Sequence, residues 1–365
     1  FLGACDSNLP WKSTFHLRVV LMGQHFSGET GAAQYTQEAF AVLAHHDLYA
    51  SGEAVRIIVM SDTHNTLRNA AEAARVPAGD VFIHCGDVTV DGTAKEVCAF
   101  NEWLGLLPHQ HRIVIAGNHD LILDPETYHA NVAMASKKRR AEHARPEVRN
   151  VWSPPEQELP RLDVDSQSRL RALAEWRGQV RQCLLSNATA YLEGERTTLA
   201  IRLDRGANTG REVRLHIAGA PHTDVIATSS MRAFAVDEER QLAVFCGCLD
   251  AGPLDVFITH GPPSGVLDRF LGVHTGSKAL VQALSSSSSR GAPSFHVFGH
   301  VHKQKGIQLG AKFPATKSSV TDIVEVPTTF VNAASVMGIH HRIRDDPAVV
   351  IDIPIANLVE PPGKS

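Results

Sequence analysis

The sequence predicts an α/β protein, a layered α/β/β/α sandwich with an N-terminal extension and a surface insert. Short, continuous apolar runs recur along the chain, and segments with helical character separate several of them. Hydrophobic residues make up 43% of the 365 residues, enough for a sizeable core. Continuous apolar runs of this kind are typical of strands buried on both faces, in sheets that helices cover.

The elements follow in order along the chain. Residues 1–52 are predicted to be an extension without an independent domain, and the ordered pattern begins at Val55. Residues 57–60 form a β-type apolar run, a polar turn follows, and residues 67–75 have a helix-like pattern. The same unit of a strand followed by a polar loop recurs four times, at residues 81–83, 113–115, 256–258 and 296–298.

The composition changes between residues 133 and 182. This stretch contains a Lys-Lys-Arg-Arg run and a proline-rich segment, so we interpret it as a surface insert that ends in a helix. The main domain is predicted to span residues 53–356, and residues 357–365 are predicted to be a flexible tail. Five consecutive serines at residues 285–289 predict a flexible loop.

The charge balance and the apolar pattern exclude several classes of protein. The formal net charge is -4, so the chain lacks the basic field that recruits nucleic acid. No apolar run reaches the 18–20 residues, roughly, that a membrane span requires. The six cysteines lack the paired spacing of a zinc knuckle. We therefore expect a cytoplasmic protein without a membrane segment, and the sequence leaves its oligomeric state open.

Each of the five apolar runs ends in a cluster of polar side chains that can bind a metal ion. In chain order the clusters are Ser61-Asp62-Thr63-His64, Cys85-Gly86-Asp87, Gly117-Asn118-His119-Asp120, Thr259-His260-Gly261 and Gly299-His300-Val301-His302. Open α/β sheets bind their ligands outside the carboxyl ends of the strands, where the loops converge. Five clusters at five strand ends therefore indicate one shared site.

The types of residue in these clusters favour one chemistry. Aspartate, histidine and asparagine suit Mn, Fe, Zn or Mg better than copper, and the neighbouring glycines allow the backbone to approach the ions closely. Alternation around Val301 would direct both flanking imidazoles to one side if this segment were extended. Each cluster alone has an ordinary explanation, since Asp87 could simply cap a helix. The prediction depends on all five occurring in order.

These motifs resemble those of the calcineurin-like metallophosphoesterase superfamily, whose pattern is D-X-H, G-D, G-N-H-D/E, H and G-H-X-H. The resemblance covers residues 55–335 apart from the insert, and it is greatest to the branch called metallophosphoesterase domain-containing proteins. Stretches that resemble this branch include Thr259-His260-Gly261-Pro262-Pro263 and Phe330-Val331-Asn332-Ala333-Ala334-Ser335. This chain departs from the branch at His222, where an aromatic residue is usual, and its insert is longer than in compact members.

The resemblance implies two divalent cations, with Mn or Fe favoured and Zn or Mg as alternatives. It implies a first metal site formed by Asp62, His64, Asp87 and His302. It implies a second metal site formed by Asp87, Asn118, His260 and His300. Asp87 would bridge the ions and count as catalytic together with His119, which would donate a proton or stabilise the transferring phosphoryl group. Asn65 and His222 are candidates for contacts with the substrate.

We predict a metal-dependent hydrolase that cleaves a small phosphodiester or nucleotide, such as a cyclic nucleotide, with water activated between two metal ions. A Ser/Thr protein phosphatase is disfavoured because the arginines of its G-D-X-V-D-R-G and R-G-N-H-E motifs are missing around Asp87 and before Gly117. A non-catalytic nucleotide- or metal-binding scaffold protein on the same fold is the alternative. A nuclease is a third option, which the acidic charge balance opposes.

Overall fold

The computed structural model describes residues 18–21, 48–128, 175–176, 178–224, 232–287, 292–314, 323–337 and 341–358. Most of the predicted extension, most of the insert and the last seven residues of the predicted tail lie outside these ranges. The α-helices of the described part are α1 (Ala70–Ala73), α2 (Ala94–Gly105), α3 (Glu238–Asp250) and α4 (Lys278–Ser287). Its strands are β1 (Arg18–Leu21), β2 (Ala54–Met60), β3 (Val81–Cys85), β4 (His111–Ile115), β5 (Ala190–Tyr191), β6 (Glu195–Arg202), β7 (Glu212–Ala220), β8 (Thr223–Asp224), β9 (Ala235–Val236), β10 (Val256–Thr259), β11 (Arg269–Phe270), β12 (Val273–His274), β13 (Phe295–Phe298), β14 (Gly306–Pro314), β15 (Ile323–Asn332), β16 (Val336–Met337), β17 (Arg342–Ile343) and β18 (Val349–Pro354).

Two six-stranded sheets carry most of these strands. The order is β1-β18-β2-β3-β4-β5 in the first sheet and β14-β15-β13-β10-β7-β6 in the second. The central strands of each sheet are parallel. Antiparallel pairing occurs between β1 and β18, β18 and β2, β14 and β15, and β6 and β7, whereas the edge strand β5 is parallel to β4. All five apolar runs that were predicted as strands are strands, namely β2, β3, β4, β10 and β13.

The apolar side chains divide between three layers. Ile57 and Val59 of β2 lie in the core between the two sheets, together with Ile258 and Val297 of the second sheet. The alternate residues face outward, where α2 covers the first sheet and α3 and α4 cover the second. Because both faces of each sheet are covered, the central strands contain runs of consecutive apolar residues. The predicted α/β/β/α layering is confirmed.

Two predicted elements differ from the structure. The helix expected over residues 67–75 is limited to α1, and it begins after Asn69, whose side chain caps it by accepting a hydrogen bond from the backbone N of Glu72 at 3.1 Å. The loop expected at the serine run is wrong for its first three residues, which belong to α4. There Ser287 Oγ donates to the Leu284 carbonyl at 3.0 Å, so the helix itself satisfies this buried hydroxyl.

Part of the predicted N-terminal extension joins the first sheet. Strand β1 pairs antiparallel with β18, with Arg18 opposite Asp352 and Leu21 opposite Val349. Among the described residues, no helix is long and apolar enough to cross a membrane.

A buried ion pair connects Asp80, the residue before β3, to the loop after β6. Arg205 donates to both carboxylate oxygens of Asp80 at 2.6 Å and to the carbonyls of Tyr49 and Ala54. Only 8% of the Asp80 side chain and 19% of the Arg205 side chain are exposed. Removing one partner of such a pair leaves the other charge buried without compensation, at a cost of several kcal/mol.

Asp80→Ala is therefore expected to lower the free energy of unfolding by about 3 kcal/mol, measured by urea denaturation. The matched control is Arg202→Ala, because the side chain of Arg202 is 71% exposed. That change is expected to cost less than about 0.5 kcal/mol. Equal losses in the two variants would contradict a stabilising role for the Asp80–Arg205 pair.

Candidate metal centre

The polar clusters at the ends of β2, β3, β4, β10 and β13 converge. One ligand atom each of Asp62, His64 and His302 lie within 4.8 Å of one another, and the same is true of Asp87, His260 and His300. Asn118 joins the second group, because its Oδ1 lies 3.1 Å from His260 Nε2. The structure thus brings all seven predicted metal-binding side chains together.

Asp87 lies between the two groups. Its Oδ1 is 3.4 Å from His260 Nε2 in one group, and its Oδ2 is 3.7 Å from His64 Nε2 in the other. Asp87 also forms a third group of candidate ligands with His64 and His119. Two oxygens that face different imidazoles are what a carboxylate shared by two cations requires.

Backbone carbonyls orient the imidazoles of this site. The Nδ1 atoms of His64, His119 and His260 lie 2.9 Å from the carbonyl oxygens of Thr89, Val90 and Cys85, respectively. Because a carbonyl oxygen only accepts, each Nδ1 carries the hydrogen and donates it. In the neutral form of each ring the lone pair is therefore on Nε2, which faces the site, and this is the usual arrangement of histidines that bind metals.

Burial and neighbouring charges set the ionisation of the site. Burial opposes the ionisation of Asp62 and Asp87, but nearby histidines outweigh it and hold the pKa of both carboxyls below the usual range. Burial lowers the pKa of His64 and of His300 to about 4, so both rings are neutral at pH 7. Burial also opposes protonation of His260, but Asp87 outweighs it and raises the pKa of His260 to about 9.

This donor set fits divalent cations. Two almost fully buried carboxylates are surrounded by imidazole nitrogens and one amide oxygen, a mixture that suits Mn, Fe, Zn or Mg. Buried carboxylates are expensive unless a cation compensates them. A pair of divalent ions would supply that compensation for Asp62 and Asp87, and would take the place of the proton on His260.

The backbone of the site is strained. Asp62, His64, Asn65, Asp87 and His300 all have positive φ, between 42° and 65°. A non-glycine residue in this region costs of order 1–3 kcal/mol, and such residues concentrate at functional sites.

The segment around Val301 is not extended, so the condition for directing both imidazoles to one side is not met. His300 is left-handed, and a 3₁₀ turn begins at His302. Because of this turn, the imidazoles of His300 and His302 belong to different groups of candidate ligands.

Two glycines leave room for the carboxylates. A Cβ atom on Gly117 would overlap Asp87 Oδ1, and a Cβ atom on Gly299 would overlap Asp62 Oδ2 and Ser61 Oγ. The backbone therefore approaches both carboxylates more closely than any side chain would allow.

His119 and Asp120 have different places beside the metal-binding groups. The backbone N of His119 donates to Asp87 Oδ1 at 2.8 Å, and its ring lies edge-on to the His64 ring at 4.7 Å. Asp120 is fully buried and accepts hydrogen bonds from the backbone N of Gly117 and of Thr89 at 2.8 and 2.9 Å. Asp120 thus shapes the loop, whereas His119 presents its Nε2 to the site.

The two predicted substrate residues lie outside the groups of candidate ligands. Asn65 Nδ2 is 3.5 Å from Glu96 Oε1 beside the first group. His222 follows the end of β7, and its buried ring lies 6.1 Å from the ring of Phe234. Contacts of Asn65 and His222 with a substrate stay predictions.

His341 belongs to the site and was missed by the sequence analysis. Its ring stacks on His64 with centroids 3.8 Å apart and an angle of 9° between the planes, and it lies 6.1 Å from His119. It precedes the two-residue strand β17, so no apolar run pointed to it among twenty histidines.

Comparison with known proteins gives a consistent family. Residues 55–178 match the family model for calcineurin-like phosphoesterases. Human metallophosphoesterase domain-containing protein 1 is 28% identical over 85% of this chain and 74% of its own length. The UPF0046 protein K07C11.7 of Caenorhabditis elegans is 29% identical over 77% of this chain and 69% of its own length.

Among solved structures, the calcineurin-like phosphoesterase YfkN of Bacillus subtilis aligns with a TM-score of 0.32 at 8% identity, over 83% of this chain and 91% of that one. The family model and the sequence relatives agree with the five motifs and with the clustered Asp and His side chains. Residues 55–178 therefore belong to a calcineurin-like phosphoesterase domain, the domain of a family of dinuclear metal-dependent phosphoester hydrolases.

Proposed function

We propose that this protein is a phosphodiesterase that hydrolyses a small phosphodiester of the cyclic-nucleotide kind at a two-metal site. The observation that carries the proposal is the position of Asp87, whose two oxygens face the two groups of candidate ligands. Bound cations would supply a water of lowered pKa and neutralise charge on the phosphoryl oxygens.

The chain's own residues divide between the two cations. The first would be held by Asp62, His64, Asp87 and His302, and the second by Asp87, Asn118, His260 and His300. Mn or Fe is the favoured metal, with Zn or Mg as alternatives.

The charge of the site favours a diester over a monoester. The arginines of the Ser/Thr protein phosphatase motifs are missing around Asp87 and before Gly117. A phosphomonoester carries about 1.5 to 2 negative charges at pH 7 and is commonly bound by arginine. A diester carries one negative charge and needs less compensation beyond the cations themselves.

His119 is the candidate proton donor to the leaving oxygen. Its Nδ1 donates to the Val90 carbonyl, so Nε2 is the atom available to a substrate. The hydrogen bond from the backbone N of His119 to Asp87 fixes the position of the His119 backbone relative to Asp87, the candidate bridging ligand. A histidine in this position can transfer a proton without binding either metal ion.

A substrate panel on the chelated and Mn-reconstituted protein tests the proposal. We expect no turnover after chelation, recovery with Mn, and faster hydrolysis of bis-p-nitrophenyl phosphate and cyclic nucleotides than of p-nitrophenyl phosphate. Faster hydrolysis of the monoester would overturn the diester assignment. Binding of Mn and nucleotide without any turnover would instead support the non-catalytic scaffold.

His119→Gln is expected to lower kcat about 10²–10⁴-fold for a cyclic nucleotide, whose leaving alkoxide needs a proton. The loss is expected to be smaller for bis-p-nitrophenyl phosphate, because p-nitrophenolate leaves without one. Metal content measured by elemental analysis is expected to stay unchanged. His216→Gln is the control, since His216 lies on β7 and contacts Thr198. Equal losses on both substrates would contradict the role as proton donor.

A further inference from the structure

Two buried histidines outside the groups of candidate ligands occupy matching positions in the two sheets. His84 lies on β3 and His296 lies on β13, and both are fully buried. Each ring packs among aromatic side chains on the outer face of its sheet. The ring of His84 is 5.0 Å from that of Phe100, and the ring of His296 is 5.0 Å from that of Phe257.

Each of these histidines contacts a threonine at the end of the neighbouring parallel strand. His84 Nε2 lies 3.0 Å from Thr63 Oγ1, and His296 Nε2 lies 2.8 Å from Thr259 Oγ1. The first contact joins β3 to the chain that leaves β2, and the second joins β13 to the end of β10.

Both threonines are next to candidate metal ligands in the sequence. Thr63 stands between Asp62 and His64, and Thr259 immediately precedes His260. Each histidine–threonine pair therefore connects two strands that carry ligands. The pair of His84 and Thr63 acts within the first sheet, and the pair of His296 and Thr259 acts within the second.

The hydrogen bonds of both pairs have a defined direction. The backbone N of Gly86 donates to His84 Nδ1 at 3.3 Å, so His84 Nε2 carries the hydrogen that Thr63 accepts. Thr259 Oγ1 donates to the carbonyl of Gly261 at 2.7 Å, so it accepts from His296 Nε2. The second chain of bonds therefore fixes the backbone on both sides of His260.

The pair of His84 and Thr63 lies where the backbone conformation is strained. Asp62 and His64, on either side of Thr63, both have positive φ. Such conformations persist only when the surrounding structure over-determines them. A hydrogen bond from a rigid, fully buried ring to Thr63 is one such constraint, and small displacements of ligands are costly for a metal site.

We propose that His84 with Thr63 and His296 with Thr259 are two matched positioning units, each of which fixes the ligands of one cation. This inference rests on the proposed function, since it assumes that the two ligand groups bind cations. The first unit would position Asp62 and His64, and the second would position His260. The four residues are positioning residues and contact neither substrate nor metal.

Thr63→Val and Thr259→Val test the proposal, because each removes a hydroxyl at nearly constant volume. The readout is Mn binding to the chelated full chain by calorimetric titration, without substrate. We expect each variant to weaken one of the two Mn sites by about 10–100-fold. Thr63→Ser and Thr259→Ser keep the hydroxyl and are expected to restore the affinity.

Thr328→Val is the matched control. Thr328 is also fully buried, and its hydroxyl donates to the carbonyl of Pro293 at 2.7 Å. This variant is expected to lose thermal stability while both Mn affinities stay at the parent value.

Parent-like Mn affinity in both valine variants at positions 63 and 259 would overturn the proposal, as would equal weakening in the Thr328 control. A parent chain that binds two Mn ions but hydrolyses no phosphodiester would overturn the proposed activity alone, and the affinities would still decide the positioning role. A parent that binds fewer than two Mn ions would overturn both.

Discussion

Asp87→Ala is expected to abolish metal-dependent hydrolysis, with kcat/KM reduced by at least about 10⁴-fold. The two oxygens of Asp87 face His260 and His64, so its loss removes a ligand from both cations at once. Each ion contributes several kcal/mol of charge stabilisation, and about 1.4 kcal/mol corresponds to a tenfold change in rate. The measurement combines metal analysis of the purified variant with turnover of bis-p-nitrophenyl phosphate in Mn.

Asp352→Asn is the matched control for this variant. Asp352 is equally buried, but it pairs with Arg56 at 2.6 Å in the first sheet and belongs to none of the candidate ligand groups. We expect the control to lose stability while its folded fraction retains both ions and normal turnover. Near-normal turnover of Asp87→Ala at full metal occupancy would refute the two-metal assignment.

Gly299→Ala is expected to be the next most damaging change, although glycine offers no side-chain ligand. The added methyl group would occupy the space of Asp62 Oδ2 and Ser61 Oγ. The backbone N of His300 donates to both oxygens of Asp62 at 3.0 and 2.9 Å, so the collision would displace two candidate ligands together. A displacement of about 1 Å can cost 10²-fold in rate, and we expect at least that loss in kcat/KM.

Gly247→Ala provides the control for this prediction. Gly247 lies inside α3, and a Cβ atom there would meet nothing within 4 Å. Because alanine is favoured over glycine in a helix, the control is expected to gain about 0.5–1 kcal/mol of stability with unchanged turnover. Full Mn occupancy and parent turnover in Gly299→Ala would show that the site tolerates the displacement of Asp62.

The central strands and the sandwich were predictable because a strand that is buried on both faces contains consecutive apolar residues. Strand β2 is apolar from Ile57 to Met60, since Ile57 and Val59 face one core and Ile58 and Met60 face another. Pairing between strands that are far apart in the sequence produces no such local pattern. Nothing in the sequence around residue 20 indicates that β1 pairs with β18, more than 300 residues later.

The candidate ligands were predictable for a similar reason, since each follows a strand whose end points to the same edge. The sequence could not assign the ring nitrogens, because the Nδ1 bonds of His64 and His260 depend on carbonyls in other loops. It also could not reveal His341, which reaches His64 from a short hairpin without a strand pattern before it. Tertiary approach, rather than local pattern, decides such contacts.

The pairing of β1 with β18 has a practical consequence for shortened versions of this chain. With β1 in place, β18 has a hydrogen-bonded neighbour strand on both sides. Its residues from Val349 to Ile351 are all apolar. A version that began after Leu21 would leave one side of β18 with open N–H and C=O groups. Such an edge is a template for pairing with other molecules, so the trimmed protein would be prone to aggregate even with its metal centre intact.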